Sequence, residues 1–158
     1  MADIALALLI VEDQVLLFRR ENKPGDPFAG KFGFPGGHVE EKENTKEAAV
    51  RETWEETAIL MRNPVYVNSY NFQNNKIYLY ASVLDSISGV RLNHEHTEFK
   101  LFDPEELESN SEIIPTCKFM YNDYLQKHGE KKEPKEDLEY YHANDARPER
   151  TNFTIGFK

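Results

Sequence analysis

Three glutamates, Glu52, Glu55 and Glu56, stand at positions i, i+3 and i+4 of one short segment. If the segment is helical, a rotation of about 100° per residue brings the three carboxylates into one arc. Like charges at this spacing repel one another by roughly 0.2–0.5 kcal/mol per pair. A hard divalent cation would offset that repulsion, and carboxylate oxygens suit Mg²⁺ or Mn²⁺. The spacing indicates a magnesium or manganese site, whereas a solvated acidic helix face is the commoner meaning of such a triplet taken alone.

The residues before the glutamates predict where the helix begins. Asn44 is a suitable N-cap, and Glu47, three residues later, completes a capping box. We therefore expect a helix over residues 45–57. Its core face is predicted on the opposite arc, where the hydroxyl of Thr53 can donate to a carbonyl one turn earlier. The core-face residues are Ala49, Val50, Thr53, Trp54 and Thr57.

The longer segment over residues 37–59 resembles the Nudix box, in which glycine, glutamate, Arg-Glu, Glu-Glu and an aliphatic residue recur at fixed intervals. The matching residues are Gly37, Glu43, Arg51, Glu52, Glu55, Glu56 and Ile59. Two positions depart from the pattern, because Thr53 replaces an aliphatic residue and Ala58 replaces the closing glycine. If Ala58 keeps the left-handed conformation of that glycine, the fold is destabilised by about 1 kcal/mol. Neither departure removes a charged group, so the resemblance predicts an active enzyme.

The resemblance implies a Mg²⁺-dependent enzyme, with Mn²⁺ as an alternative, that hydrolyses a nucleoside diphosphate linked to a group X. The implied metal ligands are Glu52, Glu55, Glu56 and the backbone carbonyl of Gly36. Arg51 would pair with Glu43 to hold the preceding loop against the helix. The groups that could take the proton of the attacking water are Glu55, Glu56, Glu95 and Glu98.

The segment around Glu95 and Glu98 leaves an alternative open. Members of the family often place one more carboxylate here, and the sequence does not choose between these two residues. For each of them taken singly, a charged loop before a strand is an equally good interpretation. The nearby His94 and His96 are interpreted as surface residues, because a magnesium site does not call for imidazole.

The substrate is expected to be a small nucleotide, because a net charge of −9 offers no basic surface for long nucleic acid. Triphosphate pyrophosphohydrolysis, giving a nucleoside monophosphate and pyrophosphate, is the first choice, since the compact chain resembles family members that cleave triphosphates. ADP-ribose or nucleotide-sugar hydrolysis is second, and a non-catalytic nucleotide-binding protein is a further alternative. The candidate substrate contacts are Arg20, Lys31, Gly37, Phe32 and Tyr80.

The remaining pattern predicts an α/β (α+β) fold of the Nudix type, an α/β/α sandwich with a mixed central sheet and a catalytic loop and helix. Apolar runs predict a hairpin from residues 4–11 and 15–18, followed by a glycine-rich turn over residues 28–37. Further strands are expected at residues 65–67 and 77–83. A turn at residues 103–106 should open a short helix, and residues 113–125 should form the last helix.

Residues 1–127 are expected to form one domain, followed by a charged tail over residues 128–158. In the tail, Phe153, Ile155 and Phe157 alternate with smaller residues, which predicts a docked strand and makes a homodimer through the tail possible. The single cysteine excludes an internal disulfide framework, and the first apolar run is too short to span a membrane. A cytoplasmic protein is the simplest expectation.

Overall fold

The computed structural model describes residues 2–129, in which seven strands form one sheet and three helices flank it. The predicted strand around Ile155 and nearly all of the charged tail lie outside these residues. The strands are β1 (Ala2–Val11), β2 (Gln14–Arg20), β3 (Phe32–Gly33), β4 (Gly36–His38), β5 (Val65–Phe72), β6 (Asn75–Leu84) and β7 (His96–Phe102). The helices are α1 (Thr45–Thr57), α2 (Glu106–Ser109) and α3 (Thr116–His128).

The sheet is mixed, as predicted, and β1 lies at its centre. β1 pairs in parallel with β6 along its full length and antiparallel with β2 and with the short β4. β5 and β6 form an antiparallel hairpin, and β7 pairs antiparallel with β2. None of the described helices is long and apolar enough to cross a membrane.

The two faces of β1 pack against different helices. Leu8 and Ile10 belong to the core cluster that includes Met120 of α3, whereas Ala7 belongs to the cluster that includes Ala49 of α1. Successive side chains of a strand point to opposite faces, so the continuous apolar run of β1 reflects burial on both sides. The predicted α/β/α sandwich with a mixed central sheet is confirmed.

Helix α1 begins and ends where the sequence predicts. The side chain of Asn44 accepts from the backbone N–H of Glu47 at 2.8 Å, and the backbone N–H of Asn44 donates to the Glu47 carboxylate at 2.9 Å. Ala58 follows the helix in the left-handed conformation, with φ of 61°. The chain therefore keeps the backbone of the missing glycine and accepts a strain of about 1 kcal/mol.

Two details of the predicted core face of α1 are wrong. Trp54 is 55% exposed, because the buried arc is centred near Thr53 and includes Glu56, and Trp54 lies roughly 100° from that centre. The hydroxyl of Thr53 does not bond the carbonyl of Ala49, and it has no hydrogen-bond partner among the described residues. Instead, the hydroxyl of Thr57 donates to the carbonyl of Thr53 at 2.7 Å.

Two other elements differ from the prediction. Helix α3 begins at Thr116 rather than at residue 113, since Pro115 disfavours a helical conformation in the residue before it. The backbone N–H of Ile114 instead donates to the carbonyl of Phe32 at 2.9 Å. Strand β7 occupies part of the segment for which a charged loop was one interpretation, because residues 96–102 pair antiparallel with β2.

Candidate active site

Three carboxylates converge at the end of α1. Glu52 and Glu56 come from the helix and Glu95 from the loop before β7, and they offer oxygens that lie within 4.8 Å of one another. The backbone N–H of Asn93 donates to the carbonyl of Glu56 at 3.1 Å, which joins this loop to the helix. On the other side of this loop, the backbone N–H of Glu21 donates to the carbonyl of Glu95 at 3.0 Å.

Glu98, the other residue that the sequence left open, does not reach this cluster. Its carboxylate accepts from Nε of Arg19 at 2.8 Å, and the Arg19 guanidinium also contacts Glu112 at 2.7 Å. Glu98 faces Arg19 across the β2–β7 pair. The structure therefore does not place Glu98 for a part in catalysis, because Glu98 pairs with Arg19 outside the cluster.

Glu56 is buried in conditions that oppose a negative charge. Its side chain is 2% exposed, and its Oε2 atom has no hydrogen-bond partner among the described residues. Burial, the adjacent carboxyl group of Glu52 and the charge of Glu95 raise the pKa of Glu56 to about 9. The backbone N–H of Gly36 donates to its Oε1 at 3.3 Å and only partly compensates. Without a cation, Glu56 therefore keeps its proton at neutral pH.

His96 lies against Glu56, so its interpretation as a surface residue is wrong. Its Nδ1 is 3.6 Å from Oε1 of Glu56, beyond hydrogen-bond distance, and has no partner among the described residues. Burial and the charge of Arg20 lower the pKa of His96 to about 4, so the imidazole is neutral at pH 7. The burial of His96 depends on the pairing of β7 with β2, whose register shifts beside Arg20, so the sequence carried no local signal for it.

Arg51 ties the loop before α1 to the carboxylates of the helix. Its guanidinium donates to Glu43 at 2.7 and 3.1 Å, to Glu52 at 3.0 Å and to Glu55 at 3.2 Å. It also donates to the carbonyl of His38 at 3.1 Å. The hydrogen bond from Arg51 lowers the pKa of Glu43, which therefore stays ionised. Glu55 is 52% exposed and lies outside the group formed by Glu52, Glu56 and Glu95.

Two glycines let the backbone come close to these groups. A Cβ atom on Gly37 would lie 2.5 Å from Cδ of Glu52, so a side chain there would displace the carboxylate. A Cβ atom on Gly36 would overlap the carbonyl oxygen of Ala5 in β1. Gly36 also has φ of 153°, which disfavours other residues. β4 therefore fits between β1 and the catalytic end of α1 only with glycine at both positions.

Two cavities meet beside the carboxylates. The larger one, about 340 Å³, has mostly apolar walls with a few polar groups, and Phe28, Phe72, Ile77, Met120, Asn75 and Thr116 are among its lining residues. The smaller one, about 140 Å³, contains Glu56, Glu95, His94 and Lys23. Arg20, Gly36 and Glu95 line both cavities. An apolar space therefore adjoins a charged one, as a ligand with an apolar and an anionic part requires.

The structure corrects three expected substrate contacts. Phe32 is 2% exposed and packs edge-on against Phe102, and the guanidinium of Arg19 lies over its other side. Tyr80 lies in the core on the α1 side, where its hydroxyl is 2.6 Å from that of Thr45. Nζ of Lys31 donates to the carbonyl of Ser111 at 2.9 Å and lines a different cavity.

Phe28, Phe34 and Phe72 are phenylalanines that line the 340 Å³ cavity. The sequence could not separate them from Phe32 and Tyr80, because the face that each ring occupies depends on strand register. Of the expected substrate contacts, Arg20 and Gly37 do line this cavity.

Comparison with known proteins gives concordant matches. Residues 1–121 match the family model described as NUDIX domain. The chain is 31% identical over 108 residues to the CTP pyrophosphohydrolase of Escherichia coli, a match that covers 67% of this chain and 78% of that relative. It is 31% identical over 101 residues to the ADP-ribose pyrophosphatase of Methanocaldococcus jannaschii, which covers 61% of this chain but 58% of that protein.

A solved structure shows the same fold over a larger part of the chain. The crystal structure of the MutT protein from Methanosarcina mazei Go1 superposes with a TM-score of 0.68 and 26% sequence identity. The similarity covers 82% of this chain and 96% of that one.

Proposed function

This chain belongs to the Nudix hydrolase family, and we propose that it is a Mg²⁺-dependent nucleoside triphosphate pyrophosphohydrolase that releases a nucleoside monophosphate and pyrophosphate. The observation that carries the proposal is the group formed by Glu52, Glu56 and Glu95 beside an apolar cavity of about 340 Å³. The similarity to a CTP pyrophosphohydrolase, which covers 78% of that relative, supports a triphosphate as substrate.

The carboxylate group fits a hard divalent cation. Three acidic side chains within 4.8 Å repel one another, and Oε2 of Glu56 is buried without a hydrogen-bond partner among the described residues. A cation would satisfy that atom and remove the repulsion, and an all-oxygen donor set suits Mg²⁺ or Mn²⁺. Glu52, Glu56 and Glu95 would hold it, with the carbonyl of Gly36 and the nearby Glu55 as further donors. When bound, Mg²⁺ neutralises phosphate oxygens and makes a water more acidic.

The two cavities suit the two parts of a nucleotide. The apolar cavity lies at the lower end of the range for ligand sites, roughly 300–1,000 Å³, which suits a single nucleoside. Arg20, at the junction, can donate to phosphate oxygens. The phosphate chain would then extend toward Glu56 and Glu95, where hydrolysis takes place.

In this mechanism the protein orients the groups and removes one proton. A water oxygen forms a bond to phosphorus while the bridging P–O bond breaks, and pyrophosphate leaves with the electron pair. We assign Glu95 as the base that accepts the proton of the water. Glu95 is the exposed member of the group and lines both cavities. Arg51 holds Glu52 in place through its contact of 3.0 Å. Neutral His96 adds no positive charge beside Glu56.

The test is a panel of the common ribonucleoside and deoxyribonucleoside triphosphates, ADP-ribose, sugar nucleotides, dinucleoside polyphosphates and capped RNA with Mg²⁺. Separation of the products by anion exchange identifies both the substrate and the bond that is cut. Formation of monophosphate and pyrophosphate from at least one triphosphate, faster than any cleavage of the other compounds, is the expected result. Release of orthophosphate, or cleavage of the other compounds alone, would contradict the proposal.

Hydrolysis of ADP-ribose or a nucleotide sugar is the second candidate. It is supported by the similarity to an ADP-ribose pyrophosphatase at 31% identity, although the match spans 58% of that protein. The same carboxylates would act, and the terminal ribose or sugar would lie outside the 340 Å³ cavity. The substrate panel separates the two candidates, since this activity yields two monophosphates rather than pyrophosphate.

A further inference from the structure

Asp26 lies in the loop between β2 and β3 and binds two neighbouring residues at once. Its Oδ2 accepts from Nε of Arg20 at 2.8 Å and lies 2.8 Å from Nη2 of the same guanidinium. Its Oδ1 accepts from the backbone N–H of Phe28 at 2.9 Å. The Asp26 side chain is 15% exposed, whereas that of Arg20 is 41% exposed. One enclosed carboxylate therefore fixes both a cationic side chain and a piece of backbone.

Arg20 is held where the apolar and charged cavities meet. It lines both of them, together with Gly36 and Glu95. The contacts with Asp26 engage Nε and Nη2, which leaves Nη1 to other acceptors. A phosphate that joins a nucleoside in one cavity to the carboxylate group of the other would pass this guanidinium.

Phe28 forms a wall of the apolar cavity. Its ring centroid is 6.3 Å from that of Phe72, and the two planes are inclined by 40°. This separation leaves too little space for a base between the rings, so a flat base would stack against one ring rather than between the two. The bond from Phe28 N–H to Asp26 fixes the backbone that carries this wall.

We propose that Asp26 is a positioning residue that directs Arg20 to the phosphate and Phe28 to the nucleoside of the bound nucleotide. The proposal rests on the function proposed above, and it makes the segment over residues 20–28 a single unit that recognises a phosphorylated nucleoside. A nucleoside without phosphate would engage the Phe28 part of this unit alone.

The kinetic test compares Asp26→Asn with Asp26→Ala. Asparagine keeps an oxygen that can accept from Phe28 N–H but loses the charge that holds Arg20, whereas alanine loses both contacts. We expect Asp26→Asn to raise KM for the triphosphate by about tenfold, with kcat changed less than about threefold. In an Arg20→Gln background the same substitution should change KM by less than about twofold, because its effect passes through Arg20.

Glu112→Gln is the matched control. Glu112 pairs with Arg19, the preceding residue of β2, at 2.7 Å, and neither residue lines the two cavities. Loss of this exposed ion pair should leave both KM and kcat within about twofold of wild type. A comparable rise of KM in Glu112→Gln would mean that any loss of an ion pair on β2 disturbs the site, and would overturn the special role of Asp26.

A binding measurement without metal separates this proposal from the proposed hydrolysis. Calorimetric titration of adenosine, guanosine, cytidine and uridine and of their 5′-monophosphates gives the affinity that each phosphate adds. Asp26→Asn should weaken binding of the preferred monophosphate about tenfold and leave the nucleoside unchanged, while Asp26→Ala should weaken both. If this binding pattern is found but no triphosphate is cleaved, the positioning role of Asp26 is supported and the proposed triphosphate hydrolysis is refuted. Equal losses for nucleoside and monophosphate in Asp26→Asn, or no phosphate-dependent affinity in wild type, would overturn the role of Asp26.

Discussion

Glu56 and Asp123 are buried carboxylic acids on helices that pack against opposite faces of the same sheet, and their surroundings differ. Asp123 of α3 accepts a hydrogen bond from the hydroxyl of Tyr70 at 2.6 Å. Glu56 of α1 faces two other carboxylates, and its Oε2 has no hydrogen-bond partner among the described residues. A buried polar group that is satisfied stabilises the fold, whereas one that is left unsatisfied marks a place where a ligand is expected. On the α3 face the buried carboxyl group thus stabilises the fold, whereas on the α1 face it is placed to bind a ligand.

The largest expected effect tests the α1 side of this comparison. Glu56→Gln should lower kcat by 10²-fold or more, about 3 kcal/mol in the activation barrier, because it removes a charge that holds the cation. The melting temperature of the metal-free protein should not fall, since Glu56 is already neutral at pH 7. Turnover above a tenth of wild type on the identified substrate would contradict the assignment of Glu56.

Tyr70→Phe tests the α3 side and should have the opposite signature. It removes the hydroxyl that donates to the buried carboxylate of Asp123 at 2.6 Å. We expect the free energy of unfolding to fall by about 1–3 kcal/mol, with kcat and KM unchanged. Urea denaturation and steady-state kinetics measure the two quantities. A loss of turnover without a loss of stability would mean that the two faces do not divide their roles in this way.

The stability of the metal-free protein should depend on pH through Glu56. Its pKa is about 9 in the folded protein against 4.5 for an ordinary glutamate, so the folded state binds more protons between these limits. The stabilisation is therefore complete below about pH 4.5 and is lost as the pH rises through 9, with a slope of at most about 1.4 kcal/mol per pH unit. Melts in chelator from pH 7 to 9 should show this decline, and Glu56→Gln should remove it.

His96 should produce a loss of stability on the acidic side. Its pKa is about 4 in the folded protein against 6.5 for an ordinary histidine, so the unfolded chain takes up the proton first as the pH falls. Glu56 has the opposite effect on stability between pH 4.5 and 6.5, so the decrease from about pH 6.5 down to 4 is expected in the Glu56→Gln background. Adding His96→Gln to that background should flatten this part of the profile. An unchanged acidic limb in the variant would exclude His96 as its cause.

The smallest effect concerns the end of α1, which is strained without being part of the site. Ala58→Gly removes a Cβ atom at φ of 61° and should raise the free energy of unfolding by up to about 1 kcal/mol. Activity should stay within about twofold of wild type. A destabilisation in urea titrations would show that Ala58 contributes packing that exceeds its backbone strain.

The sequence predicted the elements with strong local signals and missed relations that depend on register. The capping box of Asn44 and Glu47 predicted the start of α1, because its contacts are only three residues apart. The entry of Glu95 and His96 into the site depends instead on the pairing of β7 with β2, which no local pattern reveals. Likewise, Phe28 and Phe32 are four residues apart, yet one lines the cavity and the other packs in the core.

The most direct test of the carboxylate site is a calorimetric titration with Mn²⁺ and Mg²⁺ at pH 7, without nucleotide, in two buffers of different ionisation enthalpy. The pKa of about 9 means that Glu56 must lose its proton when a cation binds. We predict saturable binding with release of about one proton per cation bound, and weaker binding without proton release in Glu56→Gln. Absence of binding in wild type, or the same proton release in Glu56→Gln, would contradict the assignment of this cluster as a metal site.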